Sequence, residues 1–324
     1  MFETFKEHQS EVKKLIDNSF ERKRLSHLYL FVGSQGSLKE EGALYLASRI
    51  LSDCHGCGNC NNCKKIEMNP YLYVVKPMND FIAKNQVEDF LNSFRIRDEH
   101  NRFFIFYDFD KISDNNANLL LKYLEKIQDN VYGVIITTDL HKILPTIRSR
   151  SQVIFFKSLR EDVLVSLIDP EETNRKKAEI VVTLTSDPQE AKNFLVSEKI
   201  DYLIDLAVEI HRALEKQNAD PIILYASMGE KLISEHNRQD FSYLASLLIT
   251  LQNEKLKVIA GSEAHIFEDF FTDFSSSLKE KTNLKILELL LELEDKLTYN
   301  VNLNLIFISY LTKIRDLIIS DLEN

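Results

Sequence analysis

Five short runs, each apolar on both faces, constrain the fold of this chain more than any other feature of its sequence. They are Leu28 to Val32 (LYLFV), Tyr71 to Val75 (YLYVV), Phe103 to Tyr107 (FFIFY), Val134 to Thr137 (VIIT) and Val153 to Phe156 (VIFF). A strand that is apolar on both faces needs cover on both, which is the situation inside a parallel sheet. Amphipathic stretches separate the runs: Val87, Phe90, Leu91 and Phe94, then Leu119, Leu120, Tyr123, Leu124 and Ile127, recur at the spacing of one helix face. Residues 27 to 157 therefore predict an α/β domain with right-handed crossovers.

After about residue 158 the strand signal stops. The rest carries helical periodicity, interrupted at Asp169-Pro170, Asp187-Pro188 and Asp220-Pro221, each a natural helix boundary. The reading divides the chain into an α/β domain over 1–158, a small helical domain over 159–205 and an all-helical domain over 206–324, whose last helix carries Leu305, Ile306, Ile308, Leu311 and Ile314. No apolar run approaches the ~20 residues of a membrane span, and the opening MFETFKEHQS is too charged for a signal peptide, so a cytoplasmic location is expected. The net charge of -10 is uneven: residues 1–158 carry 22 basic and 20 acidic side chains, residues 159–324 only 18 basic against 30 acidic. The acidic half is a poor partner for nucleic-acid phosphates on its own.

Val32 is followed by GSQGSLKE and an Ala- and Leu-rich helical stretch, the context of a phosphate-binding loop. The working pattern is GxxxxGK[ST], in which glycines bring backbone N–H groups onto phosphate, Lys pairs with the outer phosphates and the hydroxyl holds magnesium. Gly33, Gly36 and Lys39 are in register, but Leu38 stands for the second signature glycine and Glu40 for the hydroxyl residue. A branched side chain and a carboxylate at these two positions oppose tight binding of ATP-magnesium. Taken alone, GSQG could equally be a plain strand-to-helix turn. A second acidic site is expected after a later strand, with Asp holding magnesium and Glu polarising water. The corresponding segment is FFIFYDFDKIS; matching Asp110-Lys111 to the end of a DExDK pattern puts Tyr107 at the metal Asp position and Asp108 at the Glu position. No register gives Asp-Glu.

All four cysteines lie in CHGCGNCNNC: Cys54, Cys57, Cys60 and Cys63. Disulfides are not expected in a cytoplasmic chain, and Gly- and Asn-rich spacers let the loop fold back so that four thiolates reach one ion. Structural Zn2+ is the leading expectation. An iron–sulfur cluster is the alternative, although ferredoxin-type segments continue with x3-C-P and Cys63 is followed by Lys64-Lys65. Free structural thiols are the third reading.

Downstream, NNANLLLKYLEKIQDN is followed by GVIITTD and HKILPTIRSRSQVIFF. This order resembles the clamp-loader branch of the AAA+ superfamily, in which a NALLKxLEE helix precedes a strand ending in Ser or Thr and then a helix ending in Ser-Arg-Cys. Leu120, Leu121, Lys122, Leu124 and Glu125 match the first element, Thr137 and Thr138 the second, and Ser149 and Arg150 the third, with Ser151 in place of Cys. The opening His27-Leu28-Tyr29-Leu30-Phe31, the degenerate loop, the cysteines, the chain length and Asn300-Val301-Asn302-Leu303 extend the resemblance over essentially the whole chain. It implies an α/β P-loop (AAA+) domain followed by a helical lid and an all-α collar. It also implies assembly with motor (gamma/tau-type) and delta-type subunits into a hetero-oligomer that loads a sliding clamp onto primer-template DNA during replication. Arg150 would then be a catalytic arginine finger acting in trans on a neighbour's γ-phosphate, while this chain lacks intrinsic ATPase activity. The same Arg148 and Arg150 could instead be exposed cations at a helix end. Members of the family usually carry the first cysteine further upstream than Cys54, which leaves open whether Cys54 or His55 completes the metal shell. Two rival functions stand beside this one: an active motor-type ATPase tolerating an unusual loop, and a zinc-dependent nucleic-acid-binding module.

Overall fold

The computed structural model describes residues 2–78, 81–95, 98–216, 220–235, 237–267, 278–299 and 301–322. Contacts divide the chain into two compact units, Met1–Leu159 and Arg160–Asn324.

In the first unit, α1 (Glu3–His8) and α2 (Ser10–Glu21) precede β1 (Leu28–Val32), and α3 (Lys39–Leu51) follows it. The short α4 (Asn61–Lys64) leads to β2 (Leu72–Val75), α5 (Lys84–Arg95), β3 (Arg102–Phe106), α6 (Asp114–Leu124), β4 (Val131–Thr137), α7 (Pro145–Arg148) and β5 (Gln152–Phe155). The five strands form one parallel sheet in the order β2-β3-β4-β1-β5. Each apolar run therefore became a strand, β1 with the expected ends and the other four within three residues of theirs. The alternation of side chains across the pleat explains why both faces had to be apolar. Tyr29, Phe31, Phe103, Ile105 and Val134 pack with Phe5 and Tyr45 on one face; Leu28, Leu30, Phe104, Phe106 and Ile135 pack with Phe90, Phe94 and Leu120 on the other.

Gly133 of β4 sits opposite Phe104 of β3. A Cβ there would lie 2.0 Å from the Phe104 Cζ, so the ring occupies the space that the missing side chain leaves. In α6 the buried line is Ala117, Leu120 and Leu124. Leu119 is exposed and Ile127 lies past the helix end, a narrower apolar face than the spacing suggested.

The second unit is built from helices and the connections between them, with no strand among its described residues. It runs through α8 (Glu161–Ile168), α9 (Arg175–Leu184), α10 (Pro188–Leu195), α11 (Glu198–Lys216), α12 (Pro221–Met228), α13 (Glu230–Glu235), α14 (Arg238–Ile259), α15 (Glu280–Leu297) and α16 (Leu303–Leu322). The Asp-Pro pairs mark ends as expected. Asp187 caps α10 by accepting from the Gln189 and Glu190 N–H groups, Asp220 caps α12 through Ile222 N–H, and α8 stops at Ile168, just before Asp169-Pro170. The core face of α16 is Phe307, Leu311, Ile314 and Ile318, whereas Leu305 is exposed. Asn300 of the NVN segment lies outside the described residues. No described helix is long and apolar enough to cross a membrane.

Candidate functional site

The carboxyl ends of β1, β3, β4 and β5 converge where ligands bind in open α/β sheets. The loop from Gly33 to Leu38 leaves β1 there, tied back by Gly33 N–H donating to Thr137 O of β4 at 3.3 Å. Gly33 has no room for a Cβ, which would come within 2.7 Å of Ser37 Oγ and 2.8 Å of Phe156 O. Leu38, in place of the signature glycine, keeps the left-handed backbone that a glycine would adopt freely (φ 65°, ψ 25°) and is buried. A branched residue thus stands where the backbone geometry suits glycine.

Lys39 is 1% exposed and folds back on its own loop. Its Nζ donates to Gly33 O at 2.8 Å, to Ser34 O, and to Ser37 Oγ at 3.3 Å. Burial holds the ammonium below the usual lysine range, against the opposing fields of Glu40, Asp108 and Asp110. A second brace comes from the amino-terminal helices: Gln9, 3% exposed, donates its amide to Ser37 O at 3.0 Å and to Lys157 O at 2.7 Å. Phe5 and Phe156 close the same corner, and a Cβ on Gly42 would meet the Phe156 ring at 2.7 Å. The sequence reading missed Gln9; a lone glutamine between two short helices carries no local signal of a partner 148 residues away.

At the end of β3, Tyr107 stands at the position matched to a metal-binding acid. It is 7% exposed, with the Lys76 ammonium 4.7 Å above its ring, and burial pushes its phenol up, Glu40 and Glu67 adding to the effect. A buried neutral phenol offers no charge to a magnesium ion. Asp108 adopts the left-handed region (φ 42°) and lies 3.6 Å from Lys111. Asp110 is committed elsewhere, accepting from Thr137 Oγ1 at 3.1 Å, Thr138 N–H at 3.3 Å and Thr138 Oγ1 at 3.4 Å. The aspartate and the two threonines picked out by motif thus meet, joining the end of β4 to the turn after β3.

Arg150 follows α7. Its Nη1 donates to Thr146 O at 3.0 Å and its Nη2 to Glu125 Oε1 at 3.2 Å, both partners and the guanidinium being solvent-accessible. Ser149 Oγ donates to Thr146 O at 3.1 Å and Ser151 Oγ to Ile147 O at 2.8 Å. The hydroxyl at the position where the resembled pattern has cysteine thus adds a second donor to Ile147 O, which also accepts the Arg150 N–H at 3.1 Å.

The four cysteine sulfurs all lie within 4.8 Å of one another. Cys54–Cys63, Cys54–Cys60 and Cys57–Cys63 are 3.2, 3.3 and 3.9 Å apart. An ion bonded to four sulfurs at ~2.3 Å holds them ~3.8 Å apart, so the cage has the size of a single tetrahedral metal. Backbone N–H groups of Cys60 and Cys63 point to the sulfurs of Cys57 and Cys60 at 3.4 Å each. Burial works against ionising Cys54, but the Cys57 N–H and the thiols of Cys63 and Cys60 outweigh it and bring this thiol to about 6. Burial pushes Cys63 up to about 12. Such a set can give thiolates to a cation. Cys54 belongs to the cluster. The segment is fastened to the first helices by Lys6 Nζ donating to Cys57 O at 3.4 Å, and Cys63 is buried in the core beside Ile66.

These features define a protein with the P-loop α/β fold of AAA+ type, whose phosphate loop and acidic strand end both depart from the working pattern. The family model described as "DNA polymerase III, delta subunit" matches residues 8–160. Over 307 residues the chain is 26% identical to the DNA polymerase III subunit delta' of Bacillus subtilis, covering 92% of this chain and 93% of that protein. It is 31% identical over 163 residues to the DNA polymerase III subunit tau/gamma of Haemophilus influenzae, which covers 47% of this chain and 23% of that longer protein. A solved gamma subunit-related protein of Thermotoga maritima shares the fold at 15% identity, with a TM-score of 0.51 over 96% of this chain and 99% of that one. The likeness is to subunits of the DNA polymerase III clamp loader, and that to delta' runs along nearly the whole length of the chain.

Proposed function

We propose that this chain is a non-hydrolysing subunit of a DNA polymerase III clamp loader, which lends Arg150 to a neighbouring subunit's ATP site. One observation carries the reading: Lys39, the cation a phosphate loop needs, is buried against its own loop's carbonyls, while Arg150 stands at an accessible edge. Leu38, Glu40 and Tyr107 act in the same sense against an own-site ATPase. The partners are gamma/tau-type motor subunits and a delta-type subunit, and the assembled cytoplasmic complex places a sliding clamp on primer-template DNA. Residues 159–205 serve as the lid and 206–324 as the collar that joins the ring.

Cys54, Cys57, Cys60 and Cys63 hold a structural zinc ion. What supports a single ion is the sulfur spacing, too tight to surround a core of several irons and sulfides. With four protein ligands the ion has no open position, so its contribution is to fold this segment.

The test is reconstitution with the motor-type and delta-type subunits, comparing wild type with Arg150→Ala. The variant is expected to assemble normally while the site it serves loses on the order of a thousandfold in ATP turnover. Unchanged DNA- and clamp-stimulated ATPase would remove Arg150 from the mechanism.

A further inference from the structure

Resting on the reading of Arg150 as a finger acting in trans, we infer that Glu125 is its positioning residue. A finger on a long, solvent-accessible side chain samples many rotamers, and each must be given up when the guanidinium meets phosphate. Here two of its donors are already fixed, Nη1 on Thr146 O at 3.0 Å and Nη2 on Glu125 Oε1 at 3.2 Å. The two acceptors come from different elements. Thr146 belongs to α7, and Glu125 is the residue that ends α6. The guanidinium plane is therefore held at two points across the α6–α7 junction, and a guanidinium has five N–H donors, so three remain for phosphate oxygens.

The carboxylate does two things. It restricts the rotamers of Arg150 before a neighbour arrives, which lowers the ordering cost of the transition state. It also sets α6 and α7 in the relation that presents the arginine, because the ion pair spans them. The pair is exposed on both sides, at 39% and 47%, which sets the scale of the effect to that of a surface ion pair. Glu125 itself touches no nucleotide in this scheme.

The experiment is a double-mutant cycle in the reconstituted loader, with assembly of each variant checked by gel filtration. kcat and KM of the DNA- and clamp-stimulated ATPase are measured for wild type, Glu125→Ala, Glu125→Gln, Arg150→Ala and the double variant. Glu125→Ala should lower kcat about two- to fivefold, the range an exposed pair supports. Glu125→Gln, which keeps an acceptor without the charge, should fall between that variant and wild type. The double variant should be no slower than Arg150→Ala alone. That non-additivity separates positioning of Arg150 from a general structural role.

Wild-type kcat in Glu125→Ala would overturn the inference, as would a raised kcat, the mark of a carboxylate that competes with phosphate. A double variant slower than Arg150→Ala would overturn it too, because Glu125 would then act by another route. If Arg150→Ala is itself without effect, the finger reading falls and Glu125 falls with it, an outcome distinct from loss in Arg150→Ala beside a normal Glu125→Ala.

Discussion

Replacing Lys39 by Met tests whether the ammonium is a structural part of the loop. The two side chains are similar in length, so the perturbation removes the charge and three hydrogen bonds with little change of volume. Two effects oppose each other. The variant no longer buries an ammonium, which recovers a desolvation cost, but it strips the charged donor from Gly33 O and Ser34 O. Ser34 O keeps the Ser37 hydroxyl at 2.7 Å, so Gly33 O takes most of the loss. A buried acceptor deprived of its donor costs about 1–3 kcal/mol, and the carbonyls cannot move into solvent without distorting a loop that Gln9 also braces. The net expectation is a loss of about 1–3 kcal/mol, or roughly 3–10 °C in the melting of the unit that contains it. The pH dependence has a definite sign. Burial lowers the folded-state pKa of Lys39, so between that value and the unfolded value of about 10.4 the unfolded chain binds the extra proton. Stability from this group therefore rises with pH through that window, and the increment should vanish in Lys39→Met. Differential scanning calorimetry of both proteins across the alkaline range measures both quantities. Equal melting temperatures would refute the argument. So would a rise of several degrees in the wild type on adding ATP-magnesium, because a ligand at about 100 times its dissociation constant contributes ~2.7 kcal/mol and would show that the lysine is free for phosphate.

Other outcomes follow from the same structure. Cys60→Ser should lower bound zinc below one ion per chain by atomic spectroscopy and reduce thermal stability, and zinc should leave the wild-type protein as pH falls because its ligands must be thiolates; full zinc content in the variant would exclude Cys60 from the shell. Gly133→Ala should cost about 1–3 kcal/mol or more, since its Cβ would overlap the fully buried Phe104 ring. That loss should appear as a lower urea midpoint with an unchanged m-value, and an unchanged midpoint would contradict the packing.

Much of the first unit was legible because its chemistry is local. Strands apolar on both faces can be read without knowing their neighbours, and a Gly33-to-Leu38 turn between a strand and a helix announces itself by composition. The Asp-Pro pairs were equally readable, since Asp caps and Pro at the first helical position act within a few residues. Contacts that depend on the sheet order were not legible. Nothing near Gln9 points to Lys157, and nothing near Glu125 points to Arg150, because each partner is brought in by strands added later. The apolar face of α6 was read too wide for a related reason: Leu119 has helical spacing but faces solvent, and only the position of the sheet decides which side of the helix is covered.

The amide of Gln9 also bears on how the domain is completed. Its acceptors, Ser37 O and Lys157 O, lie on either side of four of the five strands, and β5 is the last strand in the chain. When synthesis proceeds from the amino end, the second of these bonds has no acceptor until residue 157 has been made and β5 has joined β1. The turn between α1 and α2 thus gains its second tie only when β5 is in place, and the loop it braces is held from both sides only then.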